Sequence, residues 1–137
     1  MACLGDKECI QVLIVDDQPD DIELATIALN AARPDIDVNS ALGGTTALAL
    51  LRNEGGRPDL ILLDLKMPGM NGIEVLCGIR ADACLKELPV VVVTSSSLES
   101  DRARAIAAGA NGYIQKPLSL DQFSKDLDSM LRRWLPN

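Results

Sequence analysis

Leu60-Ile61-Leu62-Leu63-Asp64 sets four consecutive aliphatic residues in front of a carboxylate. A run that is unbroken rather than alternating marks a strand covered on both faces, as in a parallel sheet. The same pattern recurs at Val12–Val15, followed by Asp16-Asp17, and at Val90–Val93, followed by Thr94-Ser95. Weaker strands are expected at Asp37–Leu42 and at Gly112–Gln115, the second followed by Lys116-Pro117. Helical spacings fill the gaps: Ile22, Ala25 and Leu29; less cleanly Ala47, Leu48, Leu50 and Leu51; then Ile73, Leu76 and Arg80; then Ala103, Ile106 and Ala107. The last helix is best defined. Leu120, Phe123, Leu127, Met130, Leu131 and Trp134 form an apolar stripe, Ser119 and Gln122 read as a capping box, and Pro136 marks the end. Breaks at Gly43-Gly44, Gly55-Gly56-Arg57-Pro58, Met67-Pro68-Gly69 and Gly109 separate the elements.

Strand and helix thus alternate five times in 137 residues, which predicts one α/β domain with a core over about residues 10–135. The expected architecture is a flavodoxin-like, doubly wound five-stranded parallel sheet in the order 2-1-3-4-5. Ligands of such sheets bind at the carboxyl ends of the strands. That is where Asp16, Asp17, Asp64, Thr94 and Lys116 fall.

Composition narrows the chemistry. There is no histidine, which excludes Ser-His-Asp and Cys-His catalysis and His-ligated zinc. The net charge of −7 is not the basic footprint of a nucleic-acid binder or a polybasic membrane surface. Cys3, Cys9, Cys77 and Cys84 lack Cys-x-x-Cys spacing and are expected to be buried or semi-buried free thiols, with Cys77 and Cys84 on a similar side of a helix. Met1–Cys9 has neither a basic stretch nor a long apolar run, and the fully aliphatic stretches are too short to span a membrane, so a cytoplasmic protein is expected.

Three converging carboxylates repel one another unless a cation joins them, and their hard oxygens suit Mg²⁺. A carboxylate can also attack an activated phosphoryl group to give an acyl phosphate. A divalent ion, a lysine ammonium and a threonine hydroxyl then neutralise the phosphoryl oxygens. Asp64, on the central strand between the Asp pair and Lys116, is the expected nucleophile.

These residues carry a family resemblance over nearly the whole chain. Val-Leu-Ile-Val-Asp-Asp at 12–17, Leu-Ile-Leu-Leu-Asp-Leu-Lys-Met-Pro-Gly-Met-Asn-Gly at 60–72, Val-Val-Val-Thr-Ser at 91–95 and Gly-Ala-Asn-Gly-Tyr-Ile-Gln-Lys-Pro at 109–117 resemble the receiver domain of two-component response regulators. The resemblance implies phosphorylation of Asp64 from a phosphohistidine on a sensor kinase or phosphotransfer protein. It implies Mg²⁺ at Asp17, Asp64 and the backbone carbonyl of Lys66, with Asp16 assisting through water. It further implies a switch in which Thr94 moves toward the phosphoryl oxygen and Tyr113 turns inward, altering the face made by the fourth helix, fifth strand and fifth helix. A cis Lys116-Pro117 peptide is expected on the same ground. Small Ser95 is expected to leave the phosphoryl group accessible to its donor. Lys66 and Leu118 depart from residues frequent in the family at their positions.

The stretch after Asp17 and the Thr-Ser-Ser-Ser loop are similar to small regulators associated with bacteriophytochrome kinases. The expected function is that of a single receiver over 1–137, acting through protein contacts, with a homodimer on the switching face as one arrangement. Arg102 and Arg104 facing Asp126 or Asp128 would support such a dimer. Three alternatives stand beside this reading: a haloacid-dehalogenase-like aspartyl phosphatase, disfavoured by Lys66 where a second Asp is expected; a receiver cut from a hybrid kinase or longer regulator; and a phosphorylation-independent pseudo-receiver, disfavoured because no member of the acidic set is missing. Met1 and the terminal Trp-Leu-Pro-Asn favour a whole chain over the fragment.

Overall fold

The structure is a computed structural model that describes residues 10–52, 57–116 and 119–135. Its elements are β1 (Ile10–Val15), α1 (Pro19–Ala32), β2 (Ile36–Ala41), α2 (Gly44–Arg52), β3 (Leu60–Leu63), α3 (Gly72–Ala81), β4 (Val90–Thr94), α4 (Glu99–Ala107), β5 (Gly112–Gln115) and α5 (Leu120–Trp134). All strand pairs are parallel, and the order is β2-β1-β3-β4-β5, as the sequence predicts.

Alternation along the strands builds two cores. Leu60 and Leu62 join Val12, Ile14, Val91 and Val93 against α1 and α5, through Ala25, Leu29, Phe123, Leu127 and Leu131. Ile61 and Leu63 join Leu13, Val15 and Val90 against α2 and α3, through Ala47, Leu48, Leu51, Val75, Leu76 and Ile79. All four residues of β3 are buried, and burial of each such side chain contributes roughly 1.5–3 kcal/mol. This two-sided cover is why β3 reads as continuous apolar sequence.

Several local expectations are corrected. In α4 the residues with helical spacing, Ala103, Ile106 and Ala107, are exposed, while Ala105 and Asp101 are buried. The helix packs through Ala105 on Leu65 and Val92. Cys77 and Cys84 are free as expected but exposed, and Cys84 lies beyond the end of α3. Leu120 is also exposed, so the buried stripe of α5 starts at Phe123. Ser119 does cap α5, accepting from the Gln122 N–H, but the Gln122 amide donates to Asp126 rather than completing a box. A full capping box occurs instead at Asn71 and Glu74, at the start of α3. β2 begins one residue earlier than expected and stops before the exposed Leu42. Cys3, Cys9, Gly55-Gly56, the Lys116-Pro117 peptide, Leu118 and Pro136 lie outside the described residues.

Candidate functional site

Register places the site. Val15 pairs with Leu63, so Asp16 and Asp64 leave neighbouring strands side by side. The Asp64 N–H donates to the Val15 carbonyl at 3.0 Å, and the Asp16 N–H donates to the Ala41 carbonyl at 3.1 Å. On the other flank the Lys116 N–H donates to the Thr94 carbonyl at 2.7 Å. Hydrophobic pairing within the sheet thus forces polar groups together at its carboxyl edge.

The loop after Asp64 folds back tightly. The Lys66 N–H donates to Asp64 Oδ1 at 3.2 Å, and the Gly72 N–H donates to the Leu65 carbonyl at 3.1 Å. A Cβ at Gly72 would sit 2.3 Å from the Asp64 carbonyl oxygen and 2.7 Å from Leu65 Cα. Only glycine permits this approach, so the residue closing the 60–72 motif shapes the backbone around the carboxylate.

One ligand oxygen from each of Asp16, Asp17 and Asp64 lies within 4.8 Å of the others. Such spacing costs on the order of 3 kcal/mol per ionised pair at an effective dielectric of about 20. Asp16 and Asp64 are buried and Asp17 is half-buried. Burial drives the Asp16 pKa above its ordinary value of 3.8; Lys116 and the Gln18 N–H pull it back, while Asp64 adds to the rise. Lys116 supplies the local countercharge. Its Nζ donates to Asp21 at 2.8 Å, Asp16 at 2.9 Å and Asp64 at 3.3 Å. Burial opposes the ammonium, but the bonds to Asp21 and Asp16 and the charges of Asp64 and Asp16 prevail, holding it well above the ordinary lysine range. Hard, closely spaced oxygens of this kind fit a small divalent cation, which takes one or two carboxylates and keeps several waters.

The remaining expected residues form a second, adjoining group. Thr94 is fully buried at the end of β4, and its Oγ1 accepts from the Ser96 N–H at 3.4 Å. The half-buried Tyr113 donates its hydroxyl to the Ser96 carbonyl at 3.2 Å, under the Arg102 guanidinium 5.7 Å from the ring centroid. Burial pushes the Tyr113 phenol up, partly offset by Ser96. Ser96 Oγ donates to the buried Asp101, which Lys66 Nζ also meets at 3.1 Å. The Ser96 hydroxyl and the Lys66 ammonium hold Asp101 below the usual carboxylate range. Ser95 is exposed. Sequence reasoning missed Asp21, Ser96 and Asp101. Asp21 lies in the first turn of α1 and meets Lys116 across 95 positions, so no local pattern marked it.

Comparison with known proteins defines the class. Residues 12–128 match the family model described as the response regulator receiver domain, and the chain belongs to that family. It is 38% identical over 127 residues to the chemotaxis protein CheY-3 of Vibrio cholerae, covering 90% of this chain and 93% of that protein. It is 33% identical over 129 residues to a Mycobacterium tuberculosis protein named "Probable transcriptional regulatory protein TcrX", covering 94% of this chain but 53% of that one. The chain therefore spans about half the length of TcrX and nearly all of CheY-3. Among solved structures, the phosphorylated cyanobacterial phytochrome response regulator RcpA superposes with a TM-score of 0.84 at 36% identity, over 93% of this chain and 94% of that one. The Mn²⁺-bound form of response regulator Rcp1 gives a TM-score of 0.81 at 32% identity, over 93% and 96%. The family makes this a two-component signalling domain rather than a conventional enzyme. Among the described residues, no helix is long and apolar enough to cross a membrane.

Proposed function

We propose that the chain is a Mg²⁺-dependent phosphoryl-accepting receiver in which Asp64 is the phosphoacceptor. The observation that carries this reading is the cluster of Asp16, Asp17 and Asp64 with Lys116 bridged to Asp64 at 3.3 Å. Asp17, Asp64 and the Lys66 carbonyl are the residues proposed to hold the ion, with Asp16 assisting through water. The ion would supply charge neutralisation of the phosphoryl oxygens. The Asp64 carboxylate oxygen bonds to phosphorus as the P–N bond of a phosphohistidine breaks, and the electron pair stays on the departing imidazole. Lys116 lies beside the Asp64 oxygen where charge grows, the Thr94 hydroxyl is a donor at the adjoining strand end, and exposed Ser95 leaves the approach open. The chain catalyses only its own phosphorylation and dephosphorylation.

The donor is a sensor histidine kinase or phosphotransfer protein in the cytoplasm, and similarity to RcpA favours a phytochrome-linked kinase. Output runs through Thr94 and Tyr113 to the face of α4, β5 and α5, where Leu98 and Ile106 are exposed to a protein partner or a second copy. Light scattering with and without beryllofluoride separates these two, because only self-association raises the mass of the purified chain. The phosphoacceptor reading itself is tested with acetyl phosphate. Wild type takes up phosphoryl with Mg²⁺ and not with excess chelator, and Asp64→Asn takes up none. Stoichiometric labelling of Asp64→Asn overturns it.

A further inference from the structure

Lysine has three N–H donors, and at Lys116 each has a carboxylate partner. The shortest bond is not to Asp64 but to Asp21, at 2.8 Å, against 2.9 Å to Asp16 and 3.3 Å to Asp64. A phosphoryl group on Asp64 would bring further anionic oxygens beside the longest of these contacts. To serve them, the ammonium must give up a partner it holds at rest.

The three partners are not equally easy to leave. The Asp16 and Asp64 side chains are each 6% exposed, so releasing either strands a carboxylate away from water. Asp21 is 39% exposed, and water can take the place of the ammonium there at small cost. Its carboxylate also lies in the first turn of α1, where the helix terminus favours negative charge whether or not Lys116 is near.

We propose that Asp21 is a positioning residue that retains the Lys116 ammonium in the unmodified protein and releases it when Asp64 carries a phosphoryl group. Asp21 thereby restrains entry into the phosphorylated state. This inference rests on Asp64 being the phosphoacceptor.

The test is a beryllofluoride titration at saturating Mg²⁺ of wild type, Asp21→Asn, Asp20→Asn and Asp21→Glu. Asp20 is an exposed acid in the same first turn, so its variant matches the change in charge and in helix-terminus interaction. Asp21→Asn is expected to bind roughly two- to fivefold more tightly, the worth of a partly exposed ion pair. Asp20→Asn should stay near wild type, and Asp21→Glu should return toward it. No tightening in Asp21→Asn, equal tightening in Asp20→Asn, or tightening that persists in Asp21→Glu overturns the proposal. If wild type itself fails to bind beryllofluoride, the phosphoacceptor reading fails instead.

Discussion

Two cations fasten opposite ends of this sheet, and their partners differ in kind. At the amino edge, Arg80 donates to the carbonyls of Gly109 at 3.0 and 2.8 Å, Lys86 at 2.9 Å and Leu88 at 2.8 Å, and to Asn111 Oδ1 at 2.8 Å. Asn111 Oδ1 also accepts from the Val90 N–H, so one guanidinium joins the end of α3 to the start of β4 and the approach to β5. Gly109, at φ +110°, brings its carbonyl in where a Cβ would lie 2.8 Å from Arg80 Nε. Every one of these partners is neutral, and burial draws the guanidinium below its ordinary range. At the carboxyl edge, Lys116 faces only carboxylates and is raised. The first arrangement satisfies the fold's own backbone and has no charge left to trade. The second holds mutually repelling acids that another cation or a phosphoryl group can rearrange.

Stability measurements on the two cations give the largest expected contrast. Arg80→Met should lose about 3 kcal/mol, because carbonyls at both ends of the clamp lose a charged donor, and its deficit relative to wild type should be the same with and without Mg²⁺. Lys116→Met should lose about 2 kcal/mol, and Mg²⁺ should recover most of that by replacing the missing positive charge. Denaturant titrations of both variants with and without Mg²⁺ check the pair. Equal Mg²⁺ rescue of the two would break the distinction.

A smaller effect sharpens the carboxyl edge alone. The folded pKa of Asp16 is raised, so the native state binds its proton more tightly than the unfolded chain does. The contribution of this group to stability therefore falls as pH rises from 3.8 through the folded value. Asp16→Asn should melt slightly higher than wild type at neutral pH without divalent ions. That gain should vanish below pH 3.8, where both states of Asp16 are protonated. A variant that melts lower at neutral pH would mean that the ion pair with Lys116 outweighs burial and repulsion.

The sheet was legible in sequence because β1, β3 and β4 are buried on both faces and therefore written as aliphatic runs. Their ends mark Asp16, Asp17, Asp64 and Thr94, and Lys116 follows the weaker β5. The polar links between elements were not legible. Asp21 meets Lys116 across 95 positions, and no local pattern encodes that contact. Asp101 reads as a surface acid at the start of a helix, yet it is buried because Ser96 and Lys66 satisfy it. That polar seating turns α4 so that Ile106 faces outward, reversing the face its apolar spacing suggested. Hydrophobic periodicity reports burial by apolar residues, and it fails where a helix docks through a satisfied carboxylate and one alanine.

The most direct test of the central claim locates the phosphoryl group chemically. Borohydride reduces an aspartyl phosphate to homoserine, so protein treated with acetyl phosphate and Mg²⁺, then borohydride, carries a mark at the modified residue. Peptide mass mapping should find homoserine at position 64, dependent on Mg²⁺ and absent when acetyl phosphate is omitted. Homoserine at position 16, 17 or 21 instead, or none at 64 in folded protein with Mg²⁺, would contradict the account.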